Sequence, residues 1–310
     1  MKSLFTIFLI SYCSLFSFYQ DTTSTSDNNN LSSFSDTLRR DSICYKFKFL
    51  SGDTLIYKVK SRDSIIMGFD EALIKNRNER IRIICDSIDI EGRYNLSFEL
   101  INFTSIENQG NSKPIKRETN AWINRKSFIK IDSLGVRYNV AIDDSTKASL
   151  SPGGAFQPFL FTQLKESCKI PNETWMNIYL MELAENGYPF PLVRMSYLYR
   201  AKELKDTLGV TFKNYEYINS GQGSIEINNK DAKVSITNII NAHSRVLLDK
   251  DFDRIVYQFT TQEQKLKIKG KSDEPMNGVH YTNAEFFLES YSAFKPKTNT
   301  EHIIKKKNKI

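Results

Sequence analysis

Apolar and polar residues alternate with a period of two along most of the body of this chain. In CYKFKFLS, Tyr45, Phe47 and Phe49 face one way while Lys46 and Lys48 face the other. In RYNLSFEL, Tyr94, Leu96, Phe98 and Leu100 oppose Asn95, Ser97 and Glu99. QKLKIKGK sets Lys265, Lys267, Lys269 and Lys271 against Leu266 and Ile268, and GSIEIN and KVSITN repeat the pattern through Ile225/Ile227 and Val234/Ile236. A strand turns successive side chains to opposite faces, so this pattern describes half-buried antiparallel strands with one face on a core and one in water.

Turn signals punctuate these runs: SGDT at Ser51, EGRY at Glu91, SLGV at Ser133, TLGV at Thr207, SGQG at Ser220 and NNKD at Asn228. Short strands joined by such turns form hairpin meanders. Helical candidates are few: Phe69–Asn78 (FDEALIKNRN) and Phe156–Ser167. The fold class expected is mainly β, with antiparallel meander sheets or an open barrel in two related halves and one or two short helices. The echo between DSLGVRY at Asp132 and DTLGVTF at Asp206 supports equivalent hairpins in two halves, although a common hairpin corner arising twice explains it as well.

The chain opens with Lys2, then an apolar run from Leu4 to Tyr19, then polar residues from Gln20. That order is the one found in an export signal, and the run is shorter than a membrane helix needs. Residues 21–42, DTTSTSDNNNLSSFSDTLRRDS, offer almost nothing to bury and read as a polar leader. The expected organisation is therefore a signal at 1–20, the leader at 21–42, an N-terminal β half at 43–149 and a Gly/Pro-containing connector at 150–191. A C-terminal β half at 192–294 and a basic tail at 295–310 follow. Of the net charge of +7, Lys2 and a tail holding six lysines against one glutamate account for six, leaving the body at +1. A body so nearly neutral lacks the basic face that grips phosphates, so no nucleic-acid partner is expected.

Apart from Cys13, within the signal segment, the cysteines are Cys44, Cys85 and Cys168. An exported chain with three can form one disulfide and leave one thiol, and spacing does not choose the pair. The stretch SPGGAFQPFLF, Ser151–Phe161, lacks the lysine and hydroxyl of a phosphate loop, and Pro158 has no N–H with which to hold an oxyanion. It reads instead as a joint whose apolar side closes a sheet end or covers a cavity.

Local chemistry is sparse. The histidines are His243, His280 and His302, and neither GxSxG nor HExxH occurs. Asp249, Asp251 and Asp253 alternate as in the start of a calcium loop, but Arg254 and Thr260 stand where that loop needs glycine and glutamate. These aspartates, like Asp143 and Asp144, suit turns, and no cofactor or metal is expected. Asn95, Asn102 and Asn172 head N-x-S/T triplets, which matter only in a eukaryotic secretory route.

An opening strand with Gly52-Asp53-Thr54-Leu55-Ile56-Tyr57, a mid-chain segment with Pro171 and Trp175, and Gly221-Gln222-Gly223 at a strand start together resemble secreted β-rich proteins of Bacteroidota-type bacteria. That resemblance implies no activity and assigns no residue a role. More loosely, the meander is similar to the open barrels of periplasmic lipoprotein carriers, whose curved sheet holds acyl chains. The expectation is an exported, non-enzymatic binding or structural protein, periplasmic, cell-surface or secreted. Phe47, Phe98, Trp122, Phe156, Phe159, Trp175, Tyr215 and Tyr217 would form its apolar ligand-binding or core face. Its partner would be a lipid, a lipopeptide or a protein, with membrane contact only through an uncleaved signal or the basic tail. The alternatives are a secreted hydrolase built on scattered carboxylates, Asp143, Asp144 or Asp249–Asp253, and an outer-membrane barrel whose lumen the Lys265–Lys271 face would line.

Overall fold

The computed structural model describes residues 42–292, apart from 69, 121–122, 139–157, 166–167, 182–192, 208, 230–231 and 271–273. The strands, in chain order, are β1 (Ile43–Cys44), β2 (Thr54–Met67), β3 (Leu73–Ile88), β4 (Tyr94–Gln109) and β5 (Ile115–Arg117). Next come β6 (Lys126–Ile131), β7 (Arg137–Tyr138), β8 (Cys168–Lys169), β9 (Thr174–Met181) and β10 (Val193–Ala201). The last are β11 (Lys205–Thr207), β12 (Val210–Asn229), β13 (Ala232–Asp249), β14 (Ile255–Lys269) and β15 (Met276–Ser292). The protein is mainly β and its ladders are antiparallel.

One sheet carries almost everything, in the order β7-β6-β4-β3-β2-β15-β14-β13-β12-β10-β9, with β5 added to β4 and β11 to β12. Its centre is the β2–β15 ladder, which joins the two ends of the described chain over fourteen residue pairs. The expected N- and C-terminal halves therefore meet through a backbone ladder. The Gly/Pro stretch expected to be their pivot lies, from Ser151 to Gln157, outside the described residues. Within the span expected as connector, β9 is the sheet's last strand and β8 pairs with β1. The Cys44–Cys168 disulfide crosses that small pair, and Cys85 is a buried free thiol.

The sheet's inner face is apolar at one end of the strands. Leu55, Ile83 and Phe98 form one cross-strand row, and Tyr57, Ile81 and Leu100 the next. Two non-ladder segments lie against these rows. Residues 45–49 bury Tyr45, Phe47 and Phe49 while Lys46 and Lys48 point outward, and residues 158–165 bury Leu160, Phe161 and Leu164. Phe161 meets Phe47, Phe49 and Phe98 edge-on at centroid distances of 5.2, 5.6 and 6.1 Å. Burying side chains of this size contributes about 1.5–3 kcal/mol each, the dominant favourable term for this end.

Three expectations need correction. No helix occurs among the described residues. Phe69–Asn78 was expected to be helical, but Leu73–Asn78 opens β3, because ladders on both sides outweigh the marginal stability of a ten-residue helix. Its strand character was hidden because Arg77 and Glu79 on its inner face are charged. Of Phe156–Ser167, residues 158–165 run without regular structure under the sheet, with Lys165 at a left-handed φ of 65°. SGQG at Ser220 is no turn, and Gly221 begins no strand: both lie within β12. Met195 packs so closely over Gly221 that a Cβ there would sit 2.0 Å from its sulfur.

Candidate functional site

The inner face changes character along the strands. At the level of Tyr217, a row runs Tyr199–Tyr217–Ser244–Thr260–Ala284–Ser61–Arg77–Ser105. The next runs Tyr197–Asn219–Ala242–Gln262–Thr282–Asp63–Lys75–Glu107. Beyond it come Met195–Gly221–Ile240–Gln264–His280–Ile65, and then Gly223–Asn238–Leu266–Gly278–Met67. Position by position, the alternation predicts inward side chains that are polar here, yet many of them are buried.

One flank of this wall is aromatic. Trp175 stacks on Tyr199 at 5.1 Å, Tyr199 on Tyr197 at 5.6 Å and Tyr197 on Tyr179 at 5.2 Å, all within about 13° of parallel. Tyr45 joins from the N-terminal segment, stacking on Trp175 at 5.9 Å. Burial raises every one of these phenols, Tyr45 to about 12 against the partial relief of a hydrogen bond to the Lys202 carbonyl. Their hydroxyls therefore stay protonated and serve as donors.

Several inward side chains hold the 158–165 segment. Trp175 Nε1 donates to the Leu164 carbonyl at 2.7 Å, Tyr199 Oη to the Gln163 carbonyl at 2.8 Å and Asn177 Nδ2 to the same carbonyl at 3.0 Å. From across the sheet, Gln258 Nε2 donates to the Phe159 carbonyl at 2.8 Å. The Leu164 N–H reaches the Leu134 carbonyl at 2.8 Å, in the turn between β6 and β7. Gly135 in that turn has φ 77°, and a Cβ there would lie 2.4 Å from the Thr162 carbonyl oxygen, so the segment fits only against glycine. Arg137 lies over the Phe159 ring at 4.6 Å, and its burial lowers the guanidinium pKa against the pull of Tyr179 and Tyr197. The segment thus spans from the β7 edge to the β9 edge.

The other flank is ionic. Arg77 Nε lies 2.5 Å from Asp63 Oδ2, Nη2 is 3.1 Å from Oδ1, and Nη1 donates to Glu79 Oε1 at 3.0 Å. His280 Nε2 lies 3.0 Å from Asp63 Oδ1 and 3.0 Å from Thr282 Oγ1. Burial alone would raise the Asp63 carboxyl, but the hydrogen bond with His280 and the charge of Arg77 outweigh it and hold the group at about 2. Asp63 Oδ1 and Thr282 Oγ1 address the same imidazole nitrogen, whereas in a nucleophilic triad the carboxylate and the hydroxyl sit on opposite ring nitrogens. Among the described residues no three His, Cys, Asp or Glu side chains converge to hold a metal ion.

Between the flanks lies a run of amides, several of whose buried polar atoms have no protein partner. Asn238 is fully buried and Gln264 is 1% exposed, and both heteroatoms of each side chain lack a partner. Asn219 Oδ1 and Gln258 Oε1 are also unpartnered. Asn219, Gln262, Thr260 and Tyr217 line, with Pro158 and Phe159, a space of about 10 Å³, room for one water, while Asn238 and Gln264 lie in the wall outside it. Native proteins leave few buried polar groups unpaired, and each costs about 1–3 kcal/mol, so such a cluster marks a place built to hold something polar.

Of the residues expected to form an apolar ligand-binding or core face, Phe47, Phe98, Trp175, Tyr215 and Tyr217 are brought together as packed core. Phe159 is half-buried and meets the small polar space, while Trp122 and Phe156 lie outside the described residues. Asp143 and Asp144 also lie outside them. Asp249 is occupied in its turn, accepting from the N–H groups of Asp251 and Phe252 at 2.9 Å, and Asp253 pairs with Lys213. Lys265, Lys267 and Lys269 are exposed on the outer face, opposite Leu266 and Ile268.

Asp53 was missed. It is fully buried, accepting from the Leu50 N–H at 2.8 Å, Arg254 Nη2 at 3.1 Å and Tyr291 Oη at 2.9 Å, while Tyr57 Oη donates to the Ile255 carbonyl at 2.8 Å. The aspartate and tyrosine of the GDTLIY opening thus latch β2 to the β13–β14 turn, a role its neighbours in sequence do not reveal. No family model matches this chain, and no curated protein matches it.

Proposed function

We propose that this chain is an exported, non-enzymatic binding protein whose guest is small, uncharged and hydrogen-bonding, seated on the inner wall at Asn219, Asn238, Gln262 and Gln264. The observation that carries the reading is the pair Asn238 and Gln264, buried with donor and acceptor both unspent. Each amide offers an NH2 group that donates and a carbonyl that accepts, and no charge, which matches hydroxyl or amide groups better than an acyl chain or an anion. The Cys44–Cys168 disulfide supports an oxidising compartment, in line with the signal-like opening. Exposed Lys58, Lys60, Arg62 and Arg80 on the outer face argue against a lipid-facing band, where such charges cost about 2–4 kcal/mol each at mid-depth. The ionic lock on Asp63 and the turn role of Asp249 argue against a hydrolase drawing on these acids.

With residues 158–165 in place the space beside Asn219 admits only a water, so a larger guest enters by displacing that segment. Thermal-shift measurements with neutral saccharides, short uncharged peptides and fatty acids test the reading. The expected result is a raised Tm with a neutral polar compound, absent in the Asn238→Leu, Gln264→Leu double variant. Retained acyl chains in mass spectrometry, or a Tm raised by fatty acids alone, would move the protein to the apolar-carrier class.

A further inference from the structure

Along the inner wall the amides have unlike neighbours on their different sides. Toward the core end, Phe159 and Tyr197 crowd the small space at Asn219 and Gln262. On the β10 flank stands the Tyr197–Tyr199 stack, and on the β2–β3 flank the Asp63–Arg77 pair. Toward the strand tips the wall turns apolar. Past the Asn238–Leu266 row comes the row Ile225–Ile236–Ile268–Met276, with Val234 one step further along β13.

Ile225, Ile236 and Ile268 are half-buried and Met276 is 45% exposed. Charge at these tips is confined to the opposite face, where Glu226, Lys265, Lys267 and Lys269 are exposed. Past His280, no inward position of β12–β15 or β2 is charged. Met67 lies across Gly278, where a Cβ would sit 2.6 Å from its sulfur, much as Met195 lies across Gly221. Methionine is unbranched and adapts its shape to what it packs on, so both side chains suit a surface that takes up a flexible chain.

We infer that the interior guest site, on which this reading rests, takes a neutral amphiphile. Its hydrogen-bonding head meets Asn238 and Gln264, and its hydrocarbon tail runs over Leu266, Ile236, Ile268 and Met276 toward the strand tips. The direction follows from the neighbours of the amides. A guest bonded to them extends along the wall only toward the tips, because aromatic rings and an ion pair occupy the other sides. The chemistry follows from the direction. A polar extension would give up water there and find no hydrogen bond in return, whereas a hydrocarbon gains by contact. At about 3.3 Å per residue, Val234 lies roughly 13 Å beyond Asn238, which sets the length of tail the wall can hold.

Isothermal titration of the full mature chain with two homologous series tests the tail: alkyl β-glucosides from methyl to octyl, and N-acylglycinamides from acetyl to octanoyl, each below its micellar concentration. A wall that covers one side of the tail should tighten binding about twofold per added methylene, so octyl should exceed methyl on the order of a hundredfold in at least one series. Ile236→Ser with Ile268→Ser should lower that octyl-to-methyl ratio about tenfold. Should the double variant misfold, Met276→Ser, at an exposed position, should lower the ratio in the same direction by a smaller factor. Short members that bind without any gain from longer tails, or a ratio indifferent to both variants, would overturn the amphiphile and leave the polar guest site standing. No binding by any member of either series would overturn both, as would octanoate binding as tightly as the neutral compounds.

Discussion

The two ends of the same strands obey different rules. Near Leu55, Tyr57 and Tyr199 the inner face is apolar, filled by aromatic rings and covered by two chain segments. Toward Asp63, Asn238 and Gln264, in the same ladders, the inner face is polar, held by an ion-pair network on one flank and left with unspent amides in the middle. A register that continues without interruption does not make a core continuous. One end supplies stability, and the other spends part of it on specificity.

Substitutions should separate the ends by size of effect. Trp175→Ala removes a stacked ring and the hydrogen bond to Leu164, and should cost about 4 kcal/mol in denaturant unfolding. If it costs under about 1 kcal/mol, the aromatic flank is a surface and not an anchor. Replacing Cys44 and Cys168 together by serine releases a link between residues 124 apart and should cost about 3 kcal/mol, which reducing agent should reproduce in the wild type but not in the variant.

The ionic flank should announce itself in acid. Asp63 titrates at about 2 folded, below its ordinary 3.8, so its contribution is complete above about pH 4 and lost as the pH falls through 2. The loss is on the order of 2 kcal/mol, and Asp63→Asn should flatten that part of the stability–pH curve. An unchanged curve would show that the network is solvated and that the two ends differ less than supposed.

The unspent amides give the smallest effect and the sharpest one. Asn238→Leu should raise the stability of the empty protein by about 1 kcal/mol, because it deletes a buried group that bonds to nothing, while abolishing guest binding. A fall of similar size would mean that an ordered water already satisfies the amide. Cys85 offers a control: burial, with help from Asp53 and Asp86, pushes its thiol to about 12, so alkylation should follow only on unfolding.

Much of the fold was legible because alternation is a local signal. RYNLSFEL and QKLKIKG are read correctly as the two faces of strands, whereas in CYKFKFLS the buried and outward sides are read correctly but residues 45–50 lie in no strand, because they pack on the sheet instead of pairing in it. NRNER in β3 was not, because Arg77 and Glu79 reach the inner face only by pairing with Asp63 and with each other, and partners 14 residues away leave no local trace. The candidate site was scarcely legible. Asn219, Asn238 and Gln264 look like ordinary polar strand residues until the cross-strand ladders put them on the same wall, and the expected aromatic face proved to be the packing that supports it.

By itself the sequence determined that the chain forms antiparallel strands, roughly where they turn and which side chains share a face, because those properties repeat every two residues along the backbone. Only the tertiary structure decided which strands are neighbours, that β2 and β15 close the centre of the sheet, which cysteines join, and which polar side chains are buried. Those outcomes depend on contacts between residues up to some 240 positions apart, such as Asp53 with Tyr291. A contact at that range is selected by the free energy of the whole assembly, and no window of local sequence contains it.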